Sequence, residues 1–184
     1  MKKLIISFSI LLFSFFSFPQ SLNEEEINNK VTELLSKMTI EEKVGQMTQI
    51  TLQVVSKQQG TKDQTHILDE AKLEETIVKY NVGSILNVYD VWHSIDYWHE
   101  IITKVQDIAT KKTRLGIPVI YGIDAIHGAT YTQNSTLFPQ AINMAATFNK
   151  ELEMKAGEIT ALEVRASGIP WDFYPVMDLG RQPL

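Results

Sequence analysis

Val119-Ile120-Tyr121-Gly122-Ile123-Asp124-Ala125-Ile126-His127-Gly128 is the stretch whose reading decides the fold. An apolar run behind Pro118 gives way to an acid, a histidine and a closing glycine. Such a run, without polar alternation, reads as a parallel strand buried on both faces. Its polar groups then stand at the carboxyl end, where barrels and open sheets of the α/β kind carry their chemistry. Asp124 is therefore the first candidate functional residue.

Outward from that strand the chain alternates. On the N-terminal side, Ser94 to Lys112 reads as a long helix with Ile95, Trp98, Ile101, Ile102, Val105, Ile108 and Ala109 at helical spacing. Gly83 to Val88 reads as a strand, preceded by a helix over Leu68 to Tyr80 that turns Leu68, Leu73, Ile77 and Tyr80 inward. Gln53 to His66 is polar and is expected to be a surface loop. Thr39 and Glu42 form a capping box that opens a short helix, which leads to a strand near Met47 to Leu52. Glu24 to Ser36 is a first helix, its three glutamates suiting the positive N-terminal end.

On the C-terminal side, Ala129 to Thr136 is a polar loop over the strand ends, and Ala141 to Ala146 a short apolar element. Asn149 caps a helix from Lys150 to about Ser167, with Leu152, Ala156, Ile159, Leu162 and Val164 inside. Trp171 to Met177 is a further strand with Asp178 and Arg181 at its carboxyl end. The alternation suits right-handed βαβ units, hence a parallel sheet with helices outside. A closed eight-unit barrel needs about 250 residues. The expectation is an α/β fold, the N-terminal part of a (β/α)8 barrel over residues 21–184, incomplete in this chain.

Bulk properties narrow the partners. The chain has 184 residues, 44% hydrophobic and 21% charged, with a net charge of −5. No basic stripe is present, so nucleic acid is not an expected partner. The absence of cysteine removes disulfides, thiolate zinc sites and thiol nucleophiles. Residues 1–20 read as a signal peptide, with Lys2 and Lys3 ahead of an apolar run from Leu4 to Phe16 that is short for a membrane span. The mature protein is expected to be exported, periplasmic or extracellular, without a membrane segment.

Asp124 can accept hydrogen bonds from two neighbouring hydroxyls, the pairing a sugar ring presents; the alternative is a cap on the next turn. His127, beside a glycine turn, reads as a structural hydrogen-bonding group. His66, His93 and His99 lie on other elements and no H-E-x-x-H pattern occurs, so no metal site is expected. His93, Asp96 and His99 belong to a helix start and read as a solvated or capping face. Tyr89, Trp92, Tyr97 and Trp98 form an aromatic cluster in which Trp98 is core and Trp92 stays open as a sugar-stacking platform. Asp178 and Arg181 could be a nucleophile with its electrostatic partner or an ion pair at a turn. Glu158, Glu163 and Arg165 read as helix-face ion pairs. Asn134-Ser135-Thr136 matches a glycosylation sequon.

Met38 to Gln46, Arg114 to Gly128, Phe138-Pro139, Ala161 to Gly168 and Pro175 to Pro183 resemble, in order and spacing, the N-terminal barrel domain of glycoside hydrolase family 3. The resemblance implies retaining, exo-acting hydrolysis of β-glucosides by two carboxyl groups about 5–5.5 Å apart. It implies that Asp124, the acid of the G-I-D-x-x-H-G motif, binds hydroxyls of the non-reducing sugar. It implies no cofactor. The nucleophile, the acid/base glutamate and a lysine-histidine pair come later in the family's chain, so no catalytic residue is assigned here and Asp178 is not one. Arg181 resembles the earlier arginine of its stretch, and the sugar-binding one would follow Leu184. Gln182 and Leu184 depart from the common Asp and Arg. Alternatives are a β-xylosidase, a β-N-acetylhexosaminidase, or a non-catalytic sugar-binding remnant.

Overall fold

Four parallel strands lie side by side in the order in which the chain makes them. The computed structural model describes residues 23–61, 64–88 and 91–177. The expected signal peptide and Tyr89, Asp178, Arg181, Gln182 and Leu184 lie outside the described residues. The first of two units contributes one described helix, α1 (Glu24–Lys37). Asn23 and Glu26 cap it reciprocally, and none of its residues is buried.

The second unit begins at Met38. Its elements are α2 (Ile40–Gln46), β1 (Gln49–Thr51), a 3-10 turn (Leu52–Val55), β2 (Ser56–Thr61) and β3 (Gln64–Leu68). Then come α3 (Glu70–Glu74), a π-helical turn (Glu75–Lys79), β4 (Ser84–Leu86), α4 (Ile95–Lys112), β5 (Ile120–Ile123), α5 (Ala141–Ala145), α6 (Lys150–Ala166) and β6 (Trp171–Asp172). The main sheet runs β1-β4-β5-β6, every neighbour parallel. Each strand lands beside its predecessor with helix between, the sequential winding of a barrel rather than the reversed order of an open doubly wound sheet. This is an α/β fold, part of a (β/α)8-type barrel.

Local chemistry explains the elements that match. Thr39 accepts from the Glu42 amide at 3.2 Å while Glu42 accepts from the Thr39 amide at 2.8 Å, so the capping box opens α2. Ser94 and Asn149 cap α4 and α6 by accepting from the Tyr97 and Leu152 amides at 3.2 and 3.1 Å. The core lies between sheet and helices. Trp98, Ile101 and Val105 of α4 meet Ile85 of β4 and Tyr121 and Ile123 of β5, all almost fully buried. Burial of each such side chain contributes about 2–3 kcal/mol.

Several expectations are corrected. Gln53 to His66 is not a loop. It forms the 3-10 turn and an antiparallel hairpin, β2 with β3, whose Ser56, Gly60, His66 and Leu68 are buried. Leu68 is a strand residue, and Asp69 starts α3 by accepting from the Lys72 amide at 3.1 Å. The π-helical turn shifts the helical phase, and Tyr80 emerges 55% exposed instead of facing inward. In α6 the packed stripe is Ala156, Thr160 and Val164, whereas Leu152 and Leu162 are exposed. Leu162 lies two residues from both Thr160 and Val164, about 200° around the helix from each. Among the described residues Glu163 makes no helix-face ion pair. Its carboxylate accepts from the Thr136 amide and hydroxyl at 3.0 and 2.8 Å, tying the loop after β5 to α6. The last strand pairs only over Trp171–Asp172, and Pro175, which has no N–H to donate, follows shortly.

Candidate functional site

Asp124 stands one residue beyond β5, half-buried, at the carboxyl end of the sheet. By strand alternation it continues the face of Ile120 and Gly122, while Tyr121 and Ile123 point to the helices. Asn87, just past β4, grips it twice. The Asn87 Nδ2 donates to Asp124 Oδ2 at 2.7 Å, and the Asp124 amide donates to Asn87 Oδ1 at 2.9 Å. Asn87 can do both because its backbone turns left-handed, with φ of 50°, which asparagine tolerates. Its carbonyl accepts from the buried Tyr121 hydroxyl at 2.7 Å and its amide donates to Gly122 O at 2.9 Å. Burial pushes the Tyr121 phenol up, so it serves only as a neutral donor. Among the described residues no donor reaches Asp124 Oδ1. A carboxylate with one oxygen committed and one open is ready to accept a ligand hydroxyl.

β6 supports the same corner. Its Asp172 Oδ1 accepts from the Ala125 amide at 3.1 Å and the Tyr174 amide at 3.2 Å. Burial first, then the charge of Asp124, push the Asp172 carboxyl up from its ordinary range, against the pull of those amides. Glycine at 122 leaves room for the Phe173 ring, which a Cβ would strike. Gly128 closes the motif with φ of 109° and its Cα against the Thr136 carbonyl, where a side chain has no space. His127 does not join Asp124. It is half-buried, its Nδ1 has no partner among the described residues, and it lines a small hollow with Phe138, Met144 and Glu153.

Beside Asn87 a cleft of about 460 Å³ opens, lined by Thr51, Gln53, Leu86, Val91, Trp92 and Tyr131 among others. Trp92 is 57% exposed there and also borders a second hollow with Thr132 and Leu137, whereas Trp98 is fully buried. The exposed ring at the strand ends is available for stacking; the buried one packs on Tyr121, ring centroids 5.7 Å apart.

The histidines correct the sequence reading most. His93 is 5% exposed and His66 4%, neither on a solvated face. Ser56 Oγ donates to Leu52 O at 2.8 Å, so His66 Nε2 donates to Ser56 Oγ at 2.8 Å, and the Tyr97 hydroxyl shares its one proton between His66 Nδ1 at 2.8 Å and His66 O at 3.1 Å. That fixes a neutral tautomer, and burial lowers the pKa of His66. The chain resembles a Ser-His relay, but the serine is buried and its proton committed, so it is structural. His93 sits 5.1 Å from the His66 ring and 5.0 Å from Tyr97 and Trp98. Burial, with the charge of His66 second, lowers it to about 4. His99 Nε2 donates to the Ala166 carbonyl at 2.7 Å, capping the end of α6. Among the described residues no group of three His, Asp or Glu side chains could hold a metal ion.

The geometry has counterparts among known proteins. Residues 39–184 match the model of the Glycosyl hydrolase family 3 N terminal domain. The chain belongs to glycoside hydrolase family 3. The lysosomal beta glucosidase of Dictyostelium discoideum is 38% identical over 179 residues, 90% of this chain and 21% of that protein. The periplasmic beta-glucosidase of Salmonella typhimurium is 28% identical over 153 residues, 83% of this chain and 17% of that one. The beta-glucosidase from Listeria innocua, solved with glucose, shares 30% identity at a TM-score of 0.59 over 84% of this chain and 20% of that structure. The family 3 chain thus spans about a fifth of the length of these curated relatives.

Proposed function

We propose that this family 3 segment supplies part of the sugar-binding wall of an exported, β-glucosidase-like glycoside hydrolase. Asp124 holds hydroxyls of the terminal sugar of a β-glucoside or oligosaccharide. The observation that carries this is the grip of Asn87 on Asp124, which commits Oδ2 and leaves Oδ1 without a donor among the described residues, at the carboxyl end of the sheet. The hydrolysis is retaining and exo-acting, and its nucleophile and acid/base belong to a part of the protein beyond Leu184. The exposed sheet face of Ile120 and Trp171 supports that reading, because a closed barrel fills this face with side chains. Alone, the segment would be inactive. Export rests on the expected signal peptide at residues 1–20.

The test is Asp124→Ala in the full-length protein, assayed on aryl β-glucoside and aryl β-xyloside. A fall in kcat/KM of about a hundredfold or more is expected, the loss of charge-assisted bonds to two hydroxyls. An unchanged kcat/KM rules out the sugar-binding role, and a preference for the xyloside would reassign the sugar.

A further inference from the structure

We infer that Asp172 is a positioning residue for Asp124, acting through the Ala125 peptide from the far face of the sheet. The inference rests on the sugar-binding role proposed for Asp124 and adds the device that aims it. Register pairs Asp172 with Ile123, so its side chain stands on the helix face, level with the end of β5. The backbone ladder ends there: the Phe173 amide donates to Ile123 O at 2.9 Å, and then the two chains part. The next amide, that of Ala125, belongs to a residue only 1% exposed and has no backbone acceptor among the described residues. Left unpaired, a buried N–H of this kind is costly. Asp172 Oδ1 meets it at 3.1 Å.

The two amides that flank Asp124 are therefore both held by side chains from neighbouring strand ends. Asn87 takes the amide of Asp124 itself, and Asp172 takes the amide that follows. Pinned on both sides, the Cα of Asp124 has little freedom, and its carboxylate keeps one direction. The Tyr174 amide on the same oxygen is a local turn that any short polar residue could make. The bond to Ala125 spans 47 residues and is the one that bears on the site. An amide at 172 offers the same acceptor oxygen without placing a second charge beside Asp124, so Asp172→Asn should preserve the device and Asp172→Ala should remove it.

The test measures glucose binding by calorimetry, and kcat/KM on an aryl β-glucoside, for the full-length protein. The variants are Asp172→Ala, Asp172→Asn, Asp124→Ala and the double variant Asp124→Ala/Asp172→Ala. Asp172→Ala should weaken glucose binding about tenfold, Asp172→Asn should stay within about twofold, and Asp172→Ala should add nothing once Asp124 is gone. An equal loss in both backgrounds, or no loss in either, overturns the inference while leaving the role of Asp124 intact. If Asp124→Ala itself binds glucose normally, the role of Asp124 fails and the inference with it. A measurement independent of any variant is hydrogen exchange of the Ala125 amide in the wild-type protein. It should be as protected as the Ile123 amide, and exchange at the rate of an exposed loop overturns the inference.

Discussion

Acidification should weaken this fold through His93. Its ring is enclosed by Tyr97, Trp98 and His66 at centroid distances of 5.0–5.1 Å, and its pKa lies at about 4. In the unfolded chain the same group titrates at about 6.5. Between those values the unfolded state binds the extra proton, so stability rises with pH across the interval. The contribution of His93 is fully present above about pH 6.5, is lost as pH falls, and levels off below about pH 4. From about pH 7 to about pH 5 the loss comes to about 2 kcal/mol, or about 4–8 °C in Tm for a domain of this size. Burial of His66 acts in the same direction. Urea unfolding followed by tryptophan fluorescence at both pH values, on the wild type and on His93→Phe, isolates the term. The variant should lose about 2 kcal/mol less than the wild type over the same interval. Equal losses in the two proteins would refute the reasoning.

Three further outcomes are expected. Asn87→Ala removes both bonds to Asp124 and should lower kcat/KM of the full-length protein on an aryl β-glucoside by about tenfold. Trp92→Ala should leave the unfolding free energy in urea within about 0.5 kcal/mol of wild type, because the ring is largely exposed, while weakening binding of substrates that carry a group large enough to reach the cleft. Gly128→Ala should destabilise by about 1–3 kcal/mol in the same unfolding assay, since it forces a Cβ against Thr136 at a left-handed φ.

The parts of the fold legible in the sequence are those whose signal is local. The apolar run ending at Asp124, the stripe of α4, the capping box at Thr39 and the cap at Asn149 each declare themselves within a few residues. The hairpin does not. Its strands are made of Lys57, Gln58, Gln59 and their like, and before Leu68 at its very end the residues it buries are a serine, a glycine and a histidine. No apolar alternation marks it, because its buried side depends on hydrogen bonds to Leu52 and Tyr97. Tyr80 was unreadable for a different reason, the π-helical turn that resets the phase before it. In the candidate site, the position of Asp124 just after a strand was legible. Asn87 was not, since an asparagine after a strand reads as a turn and its partner lies 37 residues on. Positive φ at that asparagine is the trace such a clamp leaves, and it shows only in the structure.

The β2–β3 hairpin has a consequence for how such a chain can change. Its ladder joins no strand of the main sheet, and it enters the core through a few side chains, chiefly Ser56, His66 and Leu68. Through Gln59, which donates to Gln53 O at 3.3 Å, it also steadies one wall of the cleft under Trp92. Insertions and deletions in the hairpin can therefore accumulate over evolutionary time without shifting the register of β1, β4, β5 and β6. The barrel frame keeps Asp124 in place while an appended, exchangeable part reshapes the ground beside it, so the shape of the cleft can diverge without any change at the strand ends.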